Sequence, residues 1–327
     1  MRVAIVGAGI SGLAAARELS RRGIEPTVFE SSDSVGGRVC SRVESGYIAD
    51  YGAQFVTPRG LRVEKLLLDE LPQDDLVEIS RPVYLLDGGR PTMGSREKNS
   101  QKRYTYRHGF STLPKLMAVG VDIRLGHRVS ELKSAESGFV LDDECYDSVI
   151  LAGAMPDIQP ILTERNDRRS NLAISYRPCL SVSLGFSSAT PEVPYFGLLA
   201  SDRRSPVLWM GIENLKCPDR APSGHTLITA QFGPEYSADY IGTSDARLIQ
   251  TVEALTKKLF GEAFETHEWA YVHHWQHSQP ERVALFENIN PEGTRLVVAG
   301  DGTVAGRIEN AYESGMHAAD HVAKLLS

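Results

Sequence analysis

The sequence predicts an α/β protein in which a parallel sheet is joined to a second, mostly antiparallel sheet. Three observations carry that expectation. A glycine-rich turn separates a β-branched run from a run of helix formers near the N-terminus; a long interior stretch places its apolar residues with period two; and the C-terminal stretch returns to a strand followed by a helix.

Taken in order, "RVAIVG" reads as a buried strand and "SGLAAARELSRRG" as a helix closed by Gly23. Gly7, Gly9 and Gly12 lie between them in G-x-G-x-x-G spacing. The first glycine permits the tight turn, the second lets a pyrophosphate reach the backbone, and the third lets helix and strand pack closely. Ile10 and Ser11 open the helix, whose exposed N–H groups and positive dipole end suit phosphate. The next strand, "PTVFE", ends in Glu30, where the carboxylate that accepts ribose hydroxyls is expected, ~20 residues beyond the motif. An acid there argues against a 2′-phosphate, which leaves NAD or FAD. Gly36, Gly37 and Arg38 then place bare backbone and a guanidinium beside the same pyrophosphate, which favours FAD. The N-terminal part is thus a Rossmann-type FAD-binding domain.

The chain has 327 residues with 42% hydrophobic composition, enough for two domains or one large one. Lysine and arginine number 35 against 42 acidic residues, a net charge of −7, which disfavours nucleic acid and anionic membranes as partners. No apolar run approaches the ~18 residues of a membrane span. No cleavable signal is visible before the first strand, so cytoplasm is the expected location. Cys40, Cys145, Cys179 and Cys217 are scattered without a C-x-x-C, which suggests neither a disulfide framework nor a zinc site.

Residues 109–156 read as a helix, a strand, a hairpin and a buried strand "SVILAG", with no second G-x-G-x-x-G. Polar stretches at 93–103 and 163–171 read as domain crossings. From Asn171 to about residue 288, period two dominates: Leu180, Val182, Leu184 and Phe186 alternate with Ser181, Ser183 and Gly185. The expected division is a discontinuous FAD domain at 1–75, 102–156 and 289–327, with a substrate domain at 76–101 and 157–288 roofing the flavin. The C-terminal helix "GRIENAYESGMHAADHVAKLL" has an apolar stripe at helical spacing.

With Ser34, Gly36, Gly37, Arg38 and Ser41, the second glycine cluster resembles the R-x-G-G-R-x-x-S/T pattern of the amine oxidase flavoprotein superfamily, with its leading Arg missing. Further in, "ADYGAQFVTPR", "LWMGIENLK", "HWQHSQP" and "AGDGTVAGRIENAYESG" resemble the renalases. That resemblance implies an FAD oxidase that takes hydride from dihydronicotinamide dinucleotides reduced at the wrong ring carbon and passes the electrons to O2 as hydrogen peroxide. It also implies flavin contacts at Val129 (adenine side), Gly52, Ala53, Gln54 and Phe55, at Gly300 and Asp301 (ribityl side), and at Ile308 and Glu309 opening the last helix. A helix start there would stabilise negative charge developing on the reduced flavin. The flavin is expected to be non-covalent, since no cysteine lies near "AGDG" or in the last helix.

Losing hydride makes a dihydronicotinamide an aromatic cation, so no proton need be removed, whereas amine oxidation also takes a proton from nitrogen. The resemblance to amine oxidases implies a lysine near the flavin for that second chemistry, and none occurs between Lys133 and Lys216, where the resemblance would put it. Candidate substrate residues are Gln54, Trp275, Asn310 and His277. Gln54 offers its amide to flavin or substrate, or bonds its own turn. Trp275 stacks on a planar ring or fills the sheet. Asn310 reaches the substrate carboxamide or bonds local backbone, and His277 is a polar pocket residue or a core hydrogen-bonder. No metal is expected: on a strand His273, Trp275 and His277 share one face and His274 takes the other. The alternatives are an amine oxidase or desaturase of an unknown small molecule, and a flavin-binding scaffold without turnover. Partners are a small molecule and O2, with the chain a monomer or homodimer.

Overall fold

The computed structural model of the chain describes residues 1–326. Arg2–Val6 pairs in parallel with Glu25–Phe29 on one side and Ser148–Leu151 on the other. Asp122–Arg124 and Leu296–Val298 complete a five-stranded sheet, also in parallel. Val3, Ala4 and Ile5 are fully buried, as a strand covered on both faces requires. Helix Ile10–Arg21 packs its alanine-rich face inward and ends before Gly23, which takes the left-handed conformation (φ +74°).

The last helix, Ile308–Leu326, lies against the first. They meet at Gly315, where a Cβ would overlap the Ser11 carbonyl oxygen. Gly315→Val is therefore expected to force the helices apart and remove about 1–3 kcal/mol of stability. An unchanged thermal midpoint would show that this contact is looser than the geometry implies.

The second sheet has seven strands in the order Trp269–Arg282, Ser175–Phe186, Thr226–Phe232, Val207–Ile212, Gly197–Ala200, Val83–Asp87, Arg90–Met93. All neighbours are antiparallel except Val83–Asp87 with Gly197–Ala200. Period two sorts its two faces. Leu180, Val182, Leu184, Met210, Ile228 and Ala230 share a core with Leu248 and Val252 of helix Asp245–Phe260. The opposite face carries Ser181, Ser183, Trp209, Thr229 and Gln231 and covers the segment Tyr47–Gln54: Gly185 abuts Tyr47, and Gln231 Nε2 donates to the Gly52 carbonyl at 2.7 Å.

The helices Pro234–Tyr240 and Asp245–Phe260 correct the expectation of unbroken period two between 171 and 288. Leu248, Val252 and Thr256, buried every fourth residue, are the helical signal in that stretch. Among the described residues no helix is long and apolar enough to cross a membrane.

Candidate functional site

The glycine turn is held open by backbone bonds and by one carboxylate. Gly7 (φ +107°) donates its N–H to the Phe29 carbonyl at 2.8 Å. The Glu30 carboxylate, 8% exposed, accepts the Ala8 N–H at 2.7 Å and the Ser32 N–H at 2.9 Å. Gly36 N donates to Ala8 O at 2.9 Å, which lays the second glycine cluster alongside the first. A Cβ on Gly12 would overlap the Gly7 carbonyl oxygen, so the close approach of helix and strand excludes any larger residue there. A Cβ on Gly9 would meet nothing within 4 Å and one on Gly37 would touch only Gly9, leaving an open face of bare backbone at the start of helix Ile10–Arg21. Ser11 Oγ, buried in that first turn, has no protein partner. Val129 stands half-buried against the core behind the sheet, two residues beyond His127, whose N–H donates to the Glu30 carbonyl at 2.8 Å.

Arg38 and Asp301, expected on the phosphate and the ribityl chain, are bound to each other. Two guanidinium nitrogens donate to the carboxylate at 2.6 and 2.9 Å, and Arg38 also donates to the Ser278 carbonyl at 2.9 Å. Tyr176 donates its hydroxyl to Asp301 at 3.1 Å and lies under the guanidinium; burial, then the Asp301 charge, push this phenol above its ordinary pKa. Gly300 (φ +120°) is tied to the last helix by its N–H to Ser314 Oγ at 2.9 Å. Strand Trp269–Arg282 crosses above this turn, with Pro280 Cδ 3.0 Å from where a Gly306 Cβ would stand.

That strand presents Trp269, Tyr271, His273, Trp275 and His277 to one side, and Tyr51 fills the space beneath. Its ring stacks on Trp275 (5.6 Å, 16°) and meets His273 at 4.9 Å and Tyr271 at 5.0 Å, while Trp275 Nε1 donates to the Tyr51 carbonyl at 3.1 Å. Burial pulls His273 below its ordinary pKa, raises the Tyr51 phenol and pushes the neighbouring Cys40 thiol up to about 12. The box is therefore uncharged at neutral pH. Period two on this strand was the signal that could have added Tyr271 and His273 to Trp275.

Gln54 points its Nε2 at the Asp50 and Gly52 carbonyls, which fixes the amide and leaves Oε1 buried without a partner. Ala53 N donates to the Arg38 carbonyl at 2.9 Å, and Phe55 packs on Phe196 and Trp209. Ile308 packs against the core as the helix opens, and Glu309 accepts the Arg59 and Gly60 N–H groups at 3.0 and 2.6 Å. Asn310 donates to the Ala305 carbonyl at 3.2 Å, the local backbone bond that was the alternative to a substrate contact. His277 sits apart from Gln54, facing Tyr176 and, at 3.7 Å, Asp157. His274 turns to the opposite face and bonds Ile241 O and Asp245. Among the described residues no three metal-ligating side chains converge.

Behind the Tyr51–Gln54 loop lies a charge cluster that sequence reasoning missed. Asp50, Glu213, Lys216 and Arg220 have side chains with 0% exposure. Lys216 Nζ is 2.8 Å from Asp50 and 2.5 Å from Glu213, and Arg220 is 3.1 Å from Asp50. Asp50 also accepts the Ser41 hydroxyl at 2.6 Å and the Phe110 N–H at 2.8 Å.

The open glycine backbone, the unpartnered Ser11 hydroxyl at a helix start and the acid at the second strand end suit a dinucleotide, and the two sheets together define the fold of FAD-dependent oxidoreductases. The chain matches the family described as flavin containing amine oxidoreductase over residues 10–101 and 84–323, and it belongs to that family. It superposes over 99% of its length on a putative protoporphyrinogen oxidase from Exiguobacterium sp. 255-15 (TM-score 0.78, 14% identity, 98% of that chain). It superposes equally fully on putrescine oxidase bound to putrescine (TM-score 0.74, 15% identity, 99% of that chain) and on reduced UDP-galactopyranose mutase (TM-score 0.80, 11% identity, 96% of that chain). In sequence it is 43% identical over 96 residues to protoporphyrinogen oxidase 2 of Arabidopsis thaliana, covering 28% of this chain and 18% of that protein. It is 54% identical over 56 residues to the putative flavin-containing monoamine oxidase AofH of Mycobacterium tuberculosis, covering 17% and 12%. These matches span less than a fifth of either relative's length.

Proposed function

We propose that the chain is an FAD-dependent oxidase of renalase type, which takes hydride from misreduced dihydronicotinamide dinucleotides. FAD, bound non-covalently, would supply the hydride acceptor and pass the electron pair to O2 as hydrogen peroxide. In this reading Gly9, Ser11 and Gly37 hold the pyrophosphate, Glu30 the adenosine ribose, and Asp301 the ribityl chain, while Gly52 to Phe55 line the ring. Trp275 and Tyr51 offer planar faces for a substrate ring and keep water from it.

The observation that carries the proposal is the fate of Lys216. It is the sole buried lysine among the described residues, and two carboxylates hold its ammonium. A group so bound is not available to relay a proton from a substrate amine. In the neighbouring aromatic box the one imidazole that could take a proton, His273, is drawn below its ordinary pKa by partial burial and is the weaker base for it. Hydride loss from a dihydronicotinamide needs no base.

The second reading, amine oxidation, is favoured by the family's description and by the putrescine-bound fold relative. A cationic amine would need an anion beside the ring, yet Asp50 and Glu213 are sealed with Lys216 and Arg220. Anaerobic stopped-flow mixing with 2- and 6-dihydro isomers, with 1,4-NADH and with primary amines separates the two. Fast flavin bleaching by the isomers alone is expected; bleaching by amines and not by the isomers would replace this reading with the second. Trp275→Ala is expected to slow bleaching by the isomers about tenfold or more while FAD stays bound, the loss of one stacked positioning contact.

A further inference from the structure

The buried quartet behind the Tyr51–Gln54 loop joins stretches of chain that are far apart in sequence. Asp50 opens that loop, and its carboxylate also accepts the Ser41 hydroxyl, just beyond the second glycine cluster, and the Phe110 N–H. Glu213 and Lys216 lie on the short helix that follows strand Val207–Ile212 of the second sheet. Besides Asp50, Arg220 donates to the Tyr106 carbonyl at 2.7 Å, the Thr105 hydroxyl at 3.1 Å and the Ile48 carbonyl at 3.3 Å. Sheet, loop and glycine cluster thus meet at one carboxylate.

The loop itself has little slack. Gln54 Nε2 holds the Asp50 carbonyl, Trp275 Nε1 the Tyr51 carbonyl at 3.1 Å and Gln231 Nε2 the Gly52 carbonyl at 2.7 Å. A Cβ on Gly52 would overlap the Arg38 carbonyl oxygen, which also accepts the Ala53 N–H. The backbone from Asp50 to Ala53 is therefore set between the second glycine cluster and the second sheet, and Asp50 anchors its start.

Stability alone does not call for charges at this position. Ions buried together lose their hydration, and packed apolar side chains of like volume often hold a fold as well. Glu213 bears that loss openly: beyond the Lys216 ion contact, neither of its oxygens has a hydrogen-bond partner. What ions supply and apolar side chains do not is direction, because charged donors hold a carboxylate in one orientation.

We propose that Lys216 is a positioning residue: through Asp50 it fixes the flavin-facing Tyr51–Phe55 loop against the substrate sheet in the geometry that hydride transfer needs. This rests on the reading in which Gly52 to Phe55 line the ring, and it adds what holds that lining in place.

The test removes this anchor while keeping the cluster neutral. Glu213→Met combined with Lys216→Met leaves Asp50 paired with Arg220, so the FAD-loaded double variant is expected to keep the wild-type urea midpoint, unlike Lys216→Met alone. Its limiting rate of flavin bleaching by the dihydronicotinamide isomers is expected to fall about tenfold or more, with the half-saturating concentration unchanged. Hydrogen exchange at the Ala53 and Val56 amides, which bond the Arg38 and Tyr104 carbonyls, is expected to quicken about tenfold, while the amides of strand Arg2–Val6 keep their wild-type rates. Ser41→Ala, which removes a neutral donor to the same carboxylate, is expected to quicken the Ala53 and Val56 amides about threefold, and it decides the matter if the double variant does not fold. A folded double variant with a wild-type limiting rate, or with wild-type exchange at these amides, would overturn the proposal and leave the quartet a stabilising element only. Faster exchange throughout the parallel sheet would overturn it as well. If no isomer bleaches wild type, the dihydronicotinamide reading fails, and the exchange measurement, which uses no substrate, still decides whether Lys216 positions the loop.

Discussion

Lys216→Met lowers the stability of the protein by about 3–5 kcal/mol, the loss expected when one partner of a fully buried ion cluster is removed. Asp50 and Glu213 would then share Arg220 alone, and the nearest charge to Glu213 would be gone. The two carboxylates are not equivalent. Burial raises the Asp50 carboxyl, but Arg220, Lys216 and the Phe110 N–H outweigh it and hold its pKa at about 2. Burial also raises Glu213, and Lys216 offsets that only in part.

The signs follow from linkage. A carboxyl whose folded pKa lies below its unfolded value adds stability that is present above about pH 4 and is lost as pH falls toward 2; for Asp50 this amounts to about 2 kcal/mol. Glu213, raised, acts in the opposite sense and becomes a liability as pH climbs past its unfolded value. Asp50→Asn is therefore expected to be severe at pH 7 and to flatten the acid limb of the stability curve, while Glu213→Gln is far milder. Urea midpoints at pH 7 and pH 3 decide it. Equal losses for Asp50→Asn and Glu213→Gln would show that the four groups act as one undivided charge cloud.

This cluster marks where sequence reading runs out. Gly7, Gly9, Gly12 and Glu30 are legible because their demands are local: a left-handed turn, a close helix approach and an acid at a strand end each leave their residue type at a fixed spacing. The antiparallel sheet is legible for the same reason, since Leu180 to Phe186 alternate within one strand. Asp50 meets Lys216 and Arg220 across more than half the chain, and in sequence all three look like surface charges. Helix Asp245–Phe260 has Ser244 before it and Gly261 after it, yet the period-two strands around it masked its fourfold spacing. Asn310 and Glu309 show the limit at a helix start: there a polar residue serves backbone as readily as a ligand, and here they bond Ala305 and the Arg59–Gly60 turn.

The second large effect falls on the cofactor. Asp301→Ala is expected to leave the purified protein with less than a tenth of the wild-type bound flavin, read as the ratio of 450 nm to 280 nm absorbance, while the fold survives. The reason for survival is solvent. Arg38 keeps 32% of its side chain exposed, so its pairing with Asp301 is screened and contributes less to stability than the buried quartet does. The reason for flavin loss is position: Asp301 follows Gly300 at the end of the strand, where its carboxylate is held by Arg38 and Tyr176 at the mouth of the last helix. In the proposed reading, removing it takes away an acceptor for the ribityl hydroxyls, and it frees Arg38 of its carboxylate partner. Asp301→Asn, which keeps the shape and one acceptor oxygen, is expected to retain an intermediate amount of flavin. If Asp301→Ala purifies as yellow as wild type, the carboxylate serves only to tether Arg38.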